Sequence, residues 1–365
     1  MDDALLYQFE LRNSPLTCGT SLPRIHRSSV VRLLGFPAPL SAAFLYPRWV
    51  TAIDWLLDSD PAVRWQVLRD VTGAPAAEVA AERSRVAREG WGARLLDLQE
   101  PDGMWAGGTY FPVPNPDGGR EDRQPWTATA FSLQLLHHFG ADPADERVRA
   151  AVAKVASNAR WEADGLPFFA GEVEPCINGM TVVLGVYFGY VEEAGGVVDR
   201  LLGDRLADGG WNCWREFGST VSSFASTLDV LEGLLAYERA TGGSAEITAA
   251  RQEAEQYLLD RRLFRRKSTG EPAADAFLEF SFPPRWHYDV LRALDYFRQA
   301  GEPDPRMHDA LDVVAAKRLP DGTWPLENTH PGAVHFELED GDGRPSRWNT
   351  LRALRVLGWA GRPAV

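Results

Sequence analysis

Ala207-Asp208-Gly209-Gly210-Trp211-Asn212-Cys213-Trp214 is the stretch whose reading decides the fold. An acidic residue and two glycines make a turn that glycine enters cheaply, because without a Cβ it meets no clash at positive φ. A tryptophan follows at once, large enough to wedge between neighbouring helices, and a thiol stands two residues later. Weaker copies occur at Pro101-Asp102-Gly103-Met104-Trp105, Ala163-Asp164-Gly165-Leu166-Pro167-Phe168 and Pro320-Asp321-Gly322-Thr323-Trp324. A turn with an aromatic residue recurring at a roughly fixed period marks a repeat architecture.

Outward from these turns the pattern is helical from Arg48 almost to the end, with little strand-like alternation. One class of segment is charged and amphipathic: Trp49–Leu57, Ala76–Leu98, Ala144–Arg160, Val197–Leu206, Ile247–Phe264 and Arg306–Leu319. The other class begins near residues 62, 126, 177, 222, 287 and 347 and is mostly more apolar, Cys176 to Tyr190 most of all. Each turn follows a charged segment and precedes its apolar partner. The pairing gives six helical hairpins of about 45 to 65 residues, alternately exposed and buried. An all-α, α6/α6 toroid is expected, with six inner helices enclosed by six outer ones. An open solenoid is the weaker alternative, because it would need polar capping repeats at both ends.

Thirteen tryptophans among 365 residues call for packing wedges or a lined cavity. A formal charge of −13 argues against nucleic acid. Arg261-Arg262-Leu263-Phe264-Arg265-Arg266-Lys267 reads as a solvated helix C-terminus, or alternatively as a patch for an acidic ligand or membrane surface. Three cysteines, Cys18, Cys176 and Cys213, make no disulfide framework and point to a reducing, cytoplasmic setting. Contact with a membrane is at most peripheral, since no run of about 18 apolar residues exists. Residues 1–45 are expected to form a loose arm ahead of a single domain over 46–362. Oligomeric state has no signature in the sequence.

The repeated turn resembles the glutamine-tryptophan motif of the squalene cyclase family, most closely at Gln99-Glu100-Pro101-Asp102-Gly103-Met104-Trp105. Gly209-Gly210-Trp211 also resembles the glycine-glycine-aromatic turns of protein prenyltransferase β subunits. The resemblance spans roughly residues 48 to 360 and implies the same toroid; fold does not fix function. It implies an enzyme that is terpene cyclase-like (isomerase or lyase) or prenyltransferase-like, acting on an isoprenoid. The Asp-x-Asp-Asp acid motif of the cyclases is absent, Asp340-Gly341-Asp342-Gly343 being the nearest string. The prenyltransferase zinc pattern is broken too. His287 stands where its histidine would, but Ser222-Ser223-Phe224-Ala225 replaces the Asp-x-Cys.

In a closed ring the inner helices begin at one mouth, which would gather Trp126, Cys176, Ser222, His287 and Trp348, with Cys213 one loop away. Two thiolates and an imidazole suit zinc, so Cys176, Cys213 and His287 form a candidate metal site, with water, Asp208 or Glu174 as fourth ligand. A helix N-terminus is expected to lower the pKa of Cys176. The plain alternative is two small buried cysteines and a histidine cap. Cys213, His287 and Asp289 are the candidate catalytic groups; pairing of Asp289 with Arg292 is the rival role. Trp126, Trp286, Trp348, Asn178 and Tyr288 are the candidate substrate wall, aromatic faces being suited to cationic or apolar ligands. Trp105, Trp211 and Trp324 read as wedges. Asp229 and Glu232 lie within an inner helix, where burial demands a partner or a function. Arg120, Arg123, Arg215, Arg285 and Arg347 lie near the mouth and would add to its attraction for anions. His137-His138 and His330/His335 are expected in solvent or capping roles. The expected function is a small-molecule enzyme with a hydrophobic, isoprenoid-type substrate in a central cavity, zinc-assisted; the rival is a noncatalytic toroid that binds a lipid or a protein.

Overall fold

Three tryptophans repeat one set of contacts. Trp105, Trp211 and Trp324 are each fully buried. The indole Nε1 of each donates to a carbonyl ten residues upstream: Leu95 at 2.8 Å, Leu201 at 2.7 Å and Val314 at 2.7 Å. The backbone N–H of each donates to a threonine hydroxyl on the next inner helix, Thr129, Thr227 and Thr350, at 3.1, 3.1 and 2.9 Å. Two residues before each tryptophan a glycine holds positive φ, +93° at Gly103, +99° at Gly209 and +87° at Gly322. A Cβ on Gly103 would lie 2.4 Å from the Lys154 side chain, so the turn needs glycine for space as well. Each wedge thus ties an outer helix to the inner helix that follows it.

The computed structural model describes residues 51–114 and 124–363; the expected N-terminal arm, Arg120 and Arg123 lie outside them. The inner helices are α2 (Pro61–Asp70), α5 (Thr129–Phe139), α7 (Pro175–Phe188), α9 (Phe224–Thr241), α11 (Val290–Ala300) and α13 (Arg347–Trp359). Each touches the next, and α13 returns to α2, closing the ring. At the closure Arg355 pairs with Asp70 and donates to Gln66 Oε1 at 2.8 Å. The outer layer is α1 (Ala52–Leu57), α3 (Ala76–Ser84), α4 (Gly90–Asp97), α6 (Glu146–Asn158), α8 (Val191–Gly203), α10 (Ala245–Leu259) and α12 (His308–Ala316). This is the expected double ring. A two-residue antiparallel ladder, Trp324–Pro325 against Pro345–Ser346, pins the loop between them.

The tightest crossing is α7 on α9. A Cβ on Gly179 would lie 2.3 Å from the Asp229 carbonyl oxygen, and one on Gly233 would lie 2.8 Å from the Gly179 carbonyl oxygen. Both glycines therefore let two backbones meet, a packing reason for residues that weaken helices elsewhere.

Several boundaries differ from expectation. The helix expected over Ala76–Leu98 is two helices with a break over residues 85–89; Gly90 opens the second, where φ is +64° and the Asp60 carboxylate fills the space of a side chain. The segment expected over Val197–Leu206 begins at Val191, directly after left-handed Gly189 ends α7; Gly195-Gly196 had hidden its first two turns. Arg265 and Pro272 form a bridge around Gly270 like that of Arg160 with Pro167 around Gly165, a further copy of the turn without its aspartate. The basic cluster is neutralised locally, Arg262 and Arg265 by Asp309 and Lys267 by Asp260. No described helix is long and apolar enough to cross a membrane.

Candidate active site

Helix α7 starts at Pro175, whose fixed φ suits a first helical position. The residue before it, Glu174, makes no capping hydrogen bond. Its Oε2 instead lies 3.6 Å from Cys176 Sγ. Cys213, two residues past the Trp211 wedge, brings its sulfur to 2.7 Å from that of Cys176, beyond the ~2.05 Å of a disulfide bond. Cys213 Sγ accepts from the Cys176 N–H at 3.4 Å and the Ser226 hydroxyl at 3.2 Å. Those donors sit in the first turns of α7 and α9, so two helix N-termini face one sulfur. Among the described residues, Glu174, Cys176 and Cys213 are the one group whose metal-type ligand atoms all lie within 4.8 Å.

The expectation of a lowered Cys176 pKa is reversed. Its hydrogen bond with Cys213, burial, and the charges of Cys213, Glu174 and Asp229 push the thiol well above its ordinary value. Burial likewise raises Glu174. Two thiols and a carboxylate crowd one part-buried corner, and among the described residues no basic side chain is among the main influences on Glu174 or Cys176.

Cys176 opens on a narrow, partly open cavity inside the ring, lined also by Tyr110, Phe131, Gln134, Ile177, Met180, Asp229, Arg285 and Trp286. Tyr110 is placed by Glu162, whose Oε1 accepts the backbone N–H groups of Thr109, Tyr110 and Phe111 at 3.0, 2.8 and 3.2 Å. Asp229 gives one carboxylate oxygen to Arg292 at 2.6 Å and leaves Oδ2 buried without a partner. Burial raises its pKa to about 7 against the pull of Arg292. Arg285 is 3% exposed, and its Nη1 also has no partner. Gln134 Nε2 donates to the Arg285 carbonyl at 3.0 Å, while Gln134 Oε1 is left free.

Of the sequence candidates, Cys176 and Cys213 converge as expected, and Glu174 rather than Asp208 joins them. Asp208 instead accepts from the Ser222 N–H and hydroxyl. His287 is not in the group. Its ring stacks between Trp286, at 3.8 Å, and His330, at 3.5 Å between centroids, and burial holds its pKa well below normal. Asp289 caps α11 by accepting the Arg292 N–H at 2.7 Å and lies 3.6 Å from Arg352, so helix capping takes the carboxylate. Asn178 exchanges two hydrogen bonds with the Glu172 backbone. Tyr288 donates its hydroxyl to the Leu263 carbonyl. Trp286 lines the cavity, Trp126 backs it beneath Arg285, and Trp348 stacks on Phe282 at 4.3 Å. Arg215 pairs with Asp204, and Arg347 lies over Trp55. His335 is drawn inward to Ser132 at 3.0 Å, and His137 meets Tyr187 edge-on, so these histidines are not solvent groups.

Gln134 was not marked in the sequence, and Arg285 was marked only as a mouth arginine. The available signal for Arg285 was its position as the one charge in Phe280-Ser281-Phe282-Pro283-Pro284-Arg285-Trp286-His287-Tyr288.

The class this geometry defines is the α/α toroid with an internal site. No family model matches the chain, and no curated protein matches it. Solved structures to which it is similar include a protein from Actinoplanes, 17% identical with a TM-score of 0.41, over 83% of this chain and 90% of that one. Another is the type II terpene cyclase MstE from Scytonema, in complex with its substrate geranylgeranyl dihydroxybenzoate. That chain is 15% identical with a TM-score of 0.38, over 83% of this chain and 86% of that one. Neither likeness bears on chemistry, which lies in the side chains of the cavity.

Proposed function

We propose that the protein is an enzyme that transforms a small, largely apolar molecule of isoprenoid type within the ring, assisted by zinc held by Glu174, Cys176 and Cys213. The observation that carries this reading is the crowding of two thiols and a carboxylate at one part-buried corner of the cavity, with no basic side chain of the described residues among the main influences on Glu174 and Cys176. Ionising such a set is unfavourable as it stands, because desolvated charges need a partner. A divalent cation supplies one, and thiolates with a carboxylate are a donor set that zinc accepts. Three protein ligands leave a fourth position, the arrangement of catalytic rather than structural sites. Bound there, zinc supplies a Lewis acid that polarises an oxygen or lowers the pKa of a water.

The chain's own residues divide the remaining work. Phe131, Ile177, Met180 and Trp286 give the substrate apolar contact and exclude water. Asp229, with Oδ2 free and a pKa near 7, holds or takes a proton at neutral pH.

Metal analysis of purified protein tests the reading. One zinc per chain is expected, lost in Cys213→Ser and reduced in Glu174→Gln, with helicity retained by circular dichroism. A metal-free protein whose melting temperature ignores added zinc, and whose Cys213→Ser variant does likewise, overturns it.

A further inference from the structure

Three arginines are buried among the described residues: Arg285, Arg292 and Arg352. Two have carboxylates. Arg292 holds Asp229 and Glu232 at 2.6 Å each, and Arg352 faces Asp289 at 3.6 Å. Arg285 has none among the described residues. A buried guanidinium without a counter-charge is costly, and native proteins retain such groups where a ligand completes them.

The local structure holds Arg285 in this exposed electrostatic position rather than relieving it. Its backbone sits at φ +55°, a left-handed conformation that a long side chain adopts at a cost. Gln134 clamps that backbone from across the cavity. The guanidinium carbon lies 5.1 Å from the Trp126 ring and 5.9 Å from Phe131, so its charge rests on aromatic faces. Its Nη1 N–H groups have no partner and are free for an acceptor. Among the described residues Arg285 is the one cation in the cavity lining, where Asp229 Oδ2 and Gln134 Oε1 also lack partners.

We infer that the cavity takes an anionic small molecule, a carboxylate or phosphate monoester whose charged end sits on Arg285 and whose apolar end lies against Phe131, Ile177 and Met180. Carboxylate and phosphate share the oxygen pair that an arginine fork grips in two parallel hydrogen bonds. The free Gln134 Oε1 accepts a hydrogen bond from a hydroxyl on the ligand. Burial alone pulls the Arg285 pKa to about 9, and a bound anion restores it. This deepens the proposed function by naming a substrate class, and it rests on the cavity being the reaction site; it does not rest on zinc.

Calorimetric titration of the purified protein with octanoate, octyl phosphate, 1-octanol and octylamine tests it. At least one anion is expected to bind roughly tenfold to a hundredfold more tightly than octanol, the worth of a charge-assisted hydrogen-bonded contact. Arg285→Gln should erase that preference while leaving octanol affinity in place, and Arg285→Lys should keep part of it. Met180→Trp, which fills the cavity, should weaken every probe and so place binding inside the ring. Equal affinity for anion and alcohol in the wild-type protein overturns the inference, as does the absence of any binding. An anion preference that survives Arg285→Gln overturns it too. Should Arg285→Gln not fold, the wild-type comparison and Arg285→Lys decide. A protein that binds octanoate through Arg285 yet holds no zinc would sink the metal reading and keep this one.

Discussion

The imidazoles of His287 and His330 lie face to face, 3.5 Å between ring centroids and 10° from parallel. Two positive charges cannot share that stack. Burial, and for His287 the neighbouring His330, depresses both, His330 to about 4. As pH falls below the ordinary histidine value of 6.5, the unfolded chain takes up protons that the folded rings refuse. The contribution is therefore present above about pH 6.5 and lost on acidification toward 4. Asp229 and Glu339, raised to about 7, act in the opposite sense over the same range, so the informative quantity is a difference. His330→Gln should be less acid-sensitive than wild type by about 1–3 kcal/mol between pH 7.5 and 4.5, read from urea midpoints. Parallel profiles would refute the coupling.

The wedge contacts make a graded prediction. Trp211→Ala removes a fully buried indole and should cost about 3–5 kcal/mol. Thr227→Val keeps the volume but leaves the Trp211 N–H unpaired, at about 1–3 kcal/mol. Chemical denaturation of the two variants should preserve that order. An unchanged Thr227→Val protein would remove the bond between wedge and inner helix from the account of stability.

Gly179→Ala and Gly233→Ala test the crossing of α7 on α9. Each added methyl meets backbone, which cannot swing aside as a side chain can. Each should cost at least about 1–3 kcal/mol, the usual range for overpacking. Because Asp229 lies at the contact and Cys176 starts the same helix, zinc affinity and ligand affinity should fall together in Gly179→Ala. An exposed control such as Gly196→Ala, which meets nothing within 4 Å, should leave both unchanged.

The ring was legible because its signals are local. Asp-Gly turns with an aromatic, proline at helix starts and alternation of charged with apolar segments all survive in a linear reading. The α3–α4 break was hidden because Gly90 depends on Asp60, thirty residues away, for its packing. The site was half legible. Cys176 stood at an inner-helix start with Cys213 one loop away from the mouth, and chain topology alone brought them together. Glu174 was one of several acids near the mouth, and its approach to Cys176 follows from Pro175 starting the helix and leaving the glutamate without a capping bond. His287, Asp289, Asn178 and Tyr288 had suitable chemistry at suitable positions, but burial, capping and stacking claim them, and such contacts are long-range. Arg285 had a compositional signal, a lone charge in an aromatic run, while its missing carboxylate exists only in three dimensions.

The closure of α13 on α2 through Arg355 and Asp70 has a consequence for how the protein comes apart. A linear stack of helical hairpins frays from its ends, one unit at a time. A closed ring offers no such terminal unit, since every hairpin is flanked on both sides. Slow hydrogen exchange should therefore be shared among all six inner helices at one common opening free energy, rather than graded along the chain. A cavity walled by helices that open only together keeps its buried arginine from solvent until the whole circle is lost.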